Sequence, residues 1–447
     1  MNYVLIKNGF VVKGTAIIAE DILVGGSKIL QMGINLNTPT SETPVIDASG
    51  KYVIPGAIDF NRHYLDLVNK GTDNDELRKL NQAQIFNGTT TMIDTVEDCY
   101  QKNYIYNIFK AKEKSKSNMI DYGFHLSFSE LRKNSAEAFD YSYVHEGVSS
   151  FLISVSLLKD ENLNLLDSIF KKASVHNLLV ICDLNLRDDC IGNEEEDSPF
   201  ENPNMLEHHF RVLTCLIDLG LKYGCPLLFL NMKFKEELDL IQDGIEKGGD
   251  FYSSLRLWFN LGNLSNVRYN EQELISGIAN EFGLHPIFEN EVWSLIKETR
   301  FLINPPLYNL TIDNSTSEDL VYNRPDAYFY IRNFLSLLYT IGVMKRKISM
   351  LDLVELVSIR PSKLMGLWPV KGVLSPGADA DIVIWNPTFD RNLYCSIPNS
   401  STVEEQNVKL KGRADFVFVK GKMMYNGETF YPRKEDGDFI FRTSKIY

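Results

Sequence analysis

The feature that most constrains this chain is a change of hydrophobic period along its length. The N-terminal stretch Tyr3 to Gly33 holds YVLIKNGFVVKG and AEDILVGGSKILQMG, which alternate apolar and polar residues and carry glycines at turn positions. Near the other end, GADADIVIWNP and ADFVFVKGKMMYNG alternate in the same way. Between these β-rich segments the pattern becomes short apolar runs, each followed by a longer helical period. The runs are TTMID (90–94), GVSSFLIS (147–154), LLVICD (178–183) and PLLFLN (226–231), and the helical stretches include YQKNYIYNIFKAKEK, NLLDSIFKKASVHN and HHFRVLTCLIDLGLKYG. Such alternation implies parallel βα units. Period alone does not separate a closed barrel from an open doubly wound sheet. No G-x-G-x-x-G follows the early strands, however, so the dinucleotide-binding version loses support and the barrel is favoured.

Composition narrows the partners. With 44% hydrophobic and 23% charged residues the chain can bury a large core, and disorder is disfavoured. Lys plus Arg number 46 against 59 Asp plus Glu, a formal charge of -13, which disfavours a nucleic-acid partner. The six cysteines are scattered without a C-x-x-C pair and several sit in apolar runs, so they read as buried thiols in a reducing compartment. Met1 to Val12 lacks the basic-then-apolar order of a signal peptide, and no run of about 18 apolar residues marks a membrane span. A cytoplasmic protein without membrane contact is the expectation.

The segment YVIPGAIDFNRHYLDL, Tyr52 to Leu67, is the most specific local signal. It resembles the first barrel strand of the amidohydrolase superfamily, in its dihydropyrimidinase, hydantoinase and dihydroorotase group, where Ile-Asp leads into His-x-His. Residues i and i+2 on a strand point the same way, so two imidazoles there converge on one metal. Here the pair is Asn61 and His63. A neutral amide oxygen is a poor zinc ligand, so half of the pair is lost; His63 is either a surviving ligand or a hydrogen-bonded structural residue. A second match, Leu353 to Pro387, looks like the family's last barrel helix and its return into the terminal β domain. Its Gly372, Gly377, Asp379 and Asp381 read as turn residues and bear on fold rather than chemistry.

The resemblance also implies a carbamylated lysine that bridges two metals. In EGVSSFLISVSLLKD (146–160) the lysine position after Phe151 is Leu152, which can neither be carbamylated nor bridge cations, and the position of a family tyrosine is Leu157. Lys159 lies nearby at the wrong offset and reads as a solvent-facing lysine. Two further histidine positions are Asp183 in LLVICDLNL and Asn231 in GCPLLFLNM. Asp183 could bind a hard cation at a barrel strand's C-terminal end, cap a helix, or hydrogen-bond Asn231. After INPPLYNL the family carries a proton-shuttling Asp, for which Asp313 in TIDNS is the candidate here. The remaining histidines offer no substitute: adjacent His208 and His209 lie in a helical stretch and point about 100° apart. No G-x-S-x-G elbow, Walker loop or His-Glu-x-x-His is present.

The fold implied is α/β: a (β/α)8 TIM-like barrel over 53–370 with a small β-sandwich domain formed by both chain ends, 1–52 and 371–447. The resemblance further implies a homodimer or homotetramer. Loss of ligands at Asn61, Leu152, Asp183 and Asn231 sets the first functional expectation, a homologue without catalysis or metal that binds a protein partner or a small cyclic amide. The alternative is a metal-dependent hydrolase of C–N bonds in dihydropyrimidines, hydantoins or dihydroorotate. It would use a reduced site of His63, Asp183 and Asp313 around a single divalent metal such as zinc, since one metal with an open position lowers the pKa of bound water to about 7. A third reading keeps the barrel mouth as a sensor pocket for a small molecule.

Overall fold

The structure, a computed structural model, describes residues 3–62, 64–65, 71, 74–97, 104–128, 135–155, 158, 163–184, 203–232, 234–256, 293–298, 300–304, 327–396, 403–431 and 436–444. His63, Leu157, Lys159 and Asp313 therefore lie outside the described residues.

The described strands run in chain order. β1 (Tyr3–Lys13), β2 (Ala16–Gly25), β3 (Lys28–Gly33), β4 (Val45–Asp47) and β5 (Tyr52–Pro55) come first. They are followed by β6 (Ala57–Arg62), β7 (Thr89–Glu97), β8 (Asp121–Phe128), β9 (Ser150–Ser154), β10 (Leu179–Asp183), β11 (Leu227–Leu230), β12 (Phe251–Arg256) and β13 (Phe301–Asn304). The chain closes with β14 (Ile382–Ser396), β15 (Val403–Val419) and β16 (Lys422–Tyr425).

Strands β6 to β13 form one eight-stranded sheet in sequence order, and every recorded pairing within it is parallel. Its first and last strands touch, so the sheet curls back on itself. The runs that looked uniformly apolar in the sequence explain why. In β10, Val180 and Cys182 pack outward in the cluster that includes the helices, while Leu179 and Ile181 pack inward. In β9 and β11 the outward residues are Phe151, Ile153, Leu227 and Phe229, and the inward ones Leu152, Leu228 and Leu230. A strand buried on both faces has no polar face to show, which is the mark of a parallel sheet covered by helices. The inward cluster draws Ile58 and Phe60 from β6, Ile93 from β7 and Leu302 from β13 into the same core, so the interior is filled by hydrocarbon from both ends of the sheet. This is the (β/α)8 arrangement.

Helices supply the outer layer: α1 (Asn74–Asn87), α2 (Tyr104–Ser115), α3 (Ser135–Glu146), α4 (Leu163–Val175), α5 (Pro203–Tyr223), α6 (Lys235–Glu246) and α7 (Ala327–Leu338). In α5 the buried positions are His209, Val212, Leu213, Leu216, Ile217 and Gly220, a spacing of three and four that lays one stripe against the barrel. No described helix is long and apolar enough to cross a membrane.

Both chain ends build the second body. Its strands follow a single hydrogen-bonded path, β16-β15-β14-β5-β1-β2-β3, with β4 beside β1. The path folds around its own core of Ile6, Val11, Ile22, Val53, Ile382, Ile384 and Phe418. The chain passes from this sheet to the barrel at Gly56, where an added Cβ would collide with the Thr90 side chain; only glycine permits that approach.

A buried charge cluster joins the two bodies. Lys371 Nζ lies 2.6 Å from Asp121 Oδ2 at the start of β8, 2.6 Å from Asp381 Oδ2 and 3.1 Å from Asp379 Oδ2. Lys420 adds a contact of 3.0 Å to Asp121, and Lys28 one of 2.7 Å to Asp379. Burial pulls the Lys371 ammonium down, but the facing carboxylates of Asp381, Asp121 and Asp379 outweigh it and hold the group above the usual lysine value. Removing the one cation at the centre leaves its carboxylates facing each other out of water. Lys371→Met should therefore lower the unfolding free energy by about 3–5 kcal/mol. Urea unfolding checks this through the midpoint at constant m value, and a midpoint shift equivalent to less than about 1 kcal/mol would show that the cluster is not a joint.

Candidate functional site

In parallel barrels the working residues stand at the C-terminal ends of the strands. The sequence-selected positions are Asn61 near the end of β6, Leu152 within β9, Asp183 at the end of β10 and Asn231 directly after β11. Of these the structure brings Asp183 and Asn231 together: Asn231 Nδ2 donates to Asp183 Oδ1 at 2.6 Å. Asn231 sits at φ +60°, the left-handed region that asparagine tolerates better than most residues. The backbone turns sharply out of the strand there and sends the amide toward β10.

Asn61 is 2% exposed, and its Nδ2 has no hydrogen-bond partner among the described residues. Its own N–H reaches Asp59 Oδ1 at 3.4 Å, while Asp59 pairs with the Arg62 guanidinium. Leu152 is enclosed by the inward cluster with Ile181, Leu179 and Leu228. It offers no donor atom, and its surroundings are hydrocarbon. A bridged two-metal centre does not fit these residues: the bridging position is apolar, and of Asn61, Asp183 and Asn231 only Asp183 carries a charge. Its Oδ1 is already engaged by Asn231.

Among the described residues the one group of three His, Cys, Asp or Glu donors close enough to share an ion is Asp121, Asp379 and Asp381, and there the Lys371 ammonium takes the place of a cation. His209 Nε2 bonds buried Glu237 at 2.6 Å, and His208 Nε2 bonds the Leu158 carbonyl at 2.8 Å, so the adjacent pair faces different partners. Burial pushes the Cys225 thiol up to about 12 and that of Cys182 well above its ordinary value, which leaves neither as a ready nucleophile.

Sequence reasoning passed over Asp94. It lies in β7, wholly buried, and accepts the N–H of Leu65 at 2.9 Å and of Thr95 at 2.7 Å, with a further bond from the Tyr64 backbone. It thereby ties down the turn that follows β6. The signal was available, since a carboxylate within the apolar run TTMID needs a reason for its burial. Desolvation raises Asp94 to about 7, against the opposing pull of those N–H donors and of Arg62.

The comparisons with known proteins bear on the fold and the relatives of the chain. The Amidohydrolase family model matches residues 329–424, which include the return from the barrel into the terminal sheet. A D-hydantoinase of Geobacillus stearothermophilus is 27% identical over 98% of this chain and 96% of its own length. A D-phenylhydantoinase of Escherichia coli is 25% identical over 86% of each chain. The solved dihydropyrimidinase of Brevibacillus agri superposes over the whole of both chains with a TM-score of 0.78 at 21% identity, which concerns the fold alone. A barrel with this terminal sheet is an α/β architecture shared with that solved neighbour. In sequence the chain is similar to the hydantoinases along most of its length, and its match to the Amidohydrolase family lies in the part that returns from the barrel to the terminal sheet.

Because Asp94 has a folded pKa of about 7, above the ordinary 3.8, the native state keeps a proton that the unfolded chain gives up. Its stabilisation is complete below the unfolded value and is lost as pH rises through about 7. From roughly pH 5 to pH 7 the loss is on the order of 2 kcal/mol. Asp94→Asn cannot titrate, so melting curves recorded across that window should fall less steeply for the variant than for the wild type. Parallel curves would remove Asp94 as the source.

Proposed function

We propose that this chain hydrolyses a C–N bond of a cyclic amide, a dihydropyrimidine, hydantoin or dihydroorotate, at the mouth of its barrel. The observation that carries this reading is similarity to a D-hydantoinase along nearly the whole of both chains, including the strands whose ends form the mouth. In this reading His63 and Asp183 would hold a single divalent ion such as zinc, and Asp313 would carry the proton. Such an ion supplies a Lewis acid and an acidified water when bound. Within the described residues the chain's own contribution is to orient: Asn231 fixes the Asp183 carboxylate, and Asp94 fixes the turn after β6. A homo-oligomer and a cytoplasmic location belong to the same proposal.

A second reading keeps the fold and the ligand class but drops turnover, leaving a binding or scaffold role. The burial of Leu152 in the inward core and the engagement of Asp183 by Asn231 favour it. Elemental analysis of purified protein, together with assays on dihydrouracil, hydantoin and dihydroorotate with and without added zinc, separates the two. Hydrolysis predicts near-stoichiometric metal, and a loss of about 100-fold or more in kcat/KM for Asp183→Ala. Protein that retains no metal and turns over none of the three substrates overturns hydrolysis in favour of binding.

A further inference from the structure

The strand that delivers Asn61 to the mouth is poorly held by its own sheet. The β6–β7 ladder runs Ala57↔Thr89, Ile58↔Thr91 and Asp59↔Met92, then resumes only at Arg62↔Asp94. Phe60 and Asn61 fall in the gap. On the far side β13 touches β6, but no ladder is described between them. A carbonyl in such a gap needs a donor from elsewhere.

That donor is His125, on β8. Its Nε2 lies 2.7 Å from the Phe60 carbonyl oxygen and its Nδ1 2.6 Å from Ser150 Oγ on β9. A carbonyl only accepts, so Nε2 carries the hydrogen and the neutral ring accepts from Ser150 at Nδ1. Ser150 Oγ in turn accepts from Arg442 Nη2 at 2.7 Å. The direction of the chain is thereby set: guanidinium to hydroxyl, hydroxyl to imidazole, imidazole to the Phe60 carbonyl. All three side chains are at most 1% exposed.

Arg442 comes from the C-terminal tail. The tail runs beside the start of β8: Tyr122 N–H donates to the Asp438 carbonyl at 3.0 Å, and Ile440 N–H to the Tyr122 carbonyl at 2.8 Å. It then inserts Arg442 across the barrel, where the guanidinium also donates to the carbonyls of Phe124 and Met365. Gly123 makes room, because a Cβ there would come within 3.2 Å of Arg442 Nε. A guanidinium buried so completely is costly unless its donors are used. The fold keeps it where three oxygens converge on Nη1 and Nη2, while Nε has no hydrogen-bond partner among the described residues.

We infer that Arg442 is a positioning residue for the barrel mouth: through Ser150 and His125 the C-terminal tail holds the Phe60 carbonyl, and so the end of β6 from which Asn61 and His63 arise. The inference rests on the mouth being the working end. Its test reads backbone exchange rather than turnover, so its failure and the failure of the hydrolase reading can be told apart.

The test is hydrogen–deuterium exchange by mass spectrometry on peptides spanning 57–65, in the full chain. Arg442→Met and Ser150→Ala should each speed exchange there by about tenfold, the scale of one buried hydrogen bond lost. The double variant should show no more than the larger single effect, because both break one chain. Ile153→Val, on the outward face of β9, should leave 57–65 at the wild-type rate. Ser150→Ala removes one hydroxyl and keeps the test available if Arg442→Met fails to fold. Wild-type exchange at 57–65 in a natively folded Ser150→Ala protein overturns the inference, as do effects that multiply in the double variant.

Discussion

The whole arrangement depends on one ammonium. Lys371 sits between the barrel and the terminal sheet with Asp121 on one side and Asp379 and Asp381 on the other. Asp121 opens β8 and also receives the tail N–H of Asp438 at 2.9 Å, while Asp381 receives Lys420 N–H at 2.8 Å at the end of β15. The joint therefore fixes, at once, a barrel strand, the entry to β14, the turn after β15 and the tail. A hydrophobic contact could be as strong but would not select one orientation, because dispersion and burial are non-directional. Carboxylates aimed at a single cation impose geometry as well as adhesion. The tail that carries Arg442 into the barrel starts from this joint, so the floor of the barrel is aligned by the same charges that align the two bodies.

Much of the architecture was legible because period reports burial geometry directly. Runs such as LLVICD and PLLFLN read as parallel strands since both faces are covered, and they form β10 and β11 within a residue or two of their apolar limits. The helical stretch ending in LKYG begins earlier, at Pro203, than its apolar stripe announces, because helix ends are the least sharply marked part of a periodic pattern. The single path of the terminal sheet was not legible. Alternation tells which residues face a core, but not whether β5 bridges β1 and β14 into one sheet.

The site was legible in part, for a different reason. Matching strands to a family locates positions, so Asn61, Leu152, Asp183 and Asn231 could be singled out, yet a position says nothing of what its side chain touches. The bond between Asn231 and Asp183 joins residues 48 apart in sequence and depends on a left-handed asparagine. Asp94 was passed over because it looks like an isolated polar residue closing an apolar run, and Arg442 because it looks like one of several polar residues in the tail. Their partners, Leu65, Ser150 and the Phe124 carbonyl, come from other elements. Buried polar residues are readable from sequence only as a debt of hydrogen bonds; the structure shows where the partners are.

Leu152 is built into the hydrocarbon interior of the barrel. It packs with Ile181, Leu179, Leu228 and Leu302 inside the barrel, and its register neighbour across β10 is Ile181. A lysine returned to that position would bring an amine into hydrocarbon, where a charge without a partner costs several kcal/mol and titrates to its neutral form instead. Of Asn61, Leu152, Asp183 and Asn231, only Asp183 could offer a counter-charge, and Asn231 already occupies one of its oxygens. A bridged metal pair held at these four positions would need concerted changes on β6, β9, β10 and β11, each unfavourable until the others were made. By themselves these four residues support what a single cation, or a ligand held by hydrogen bonds, can do at the barrel mouth.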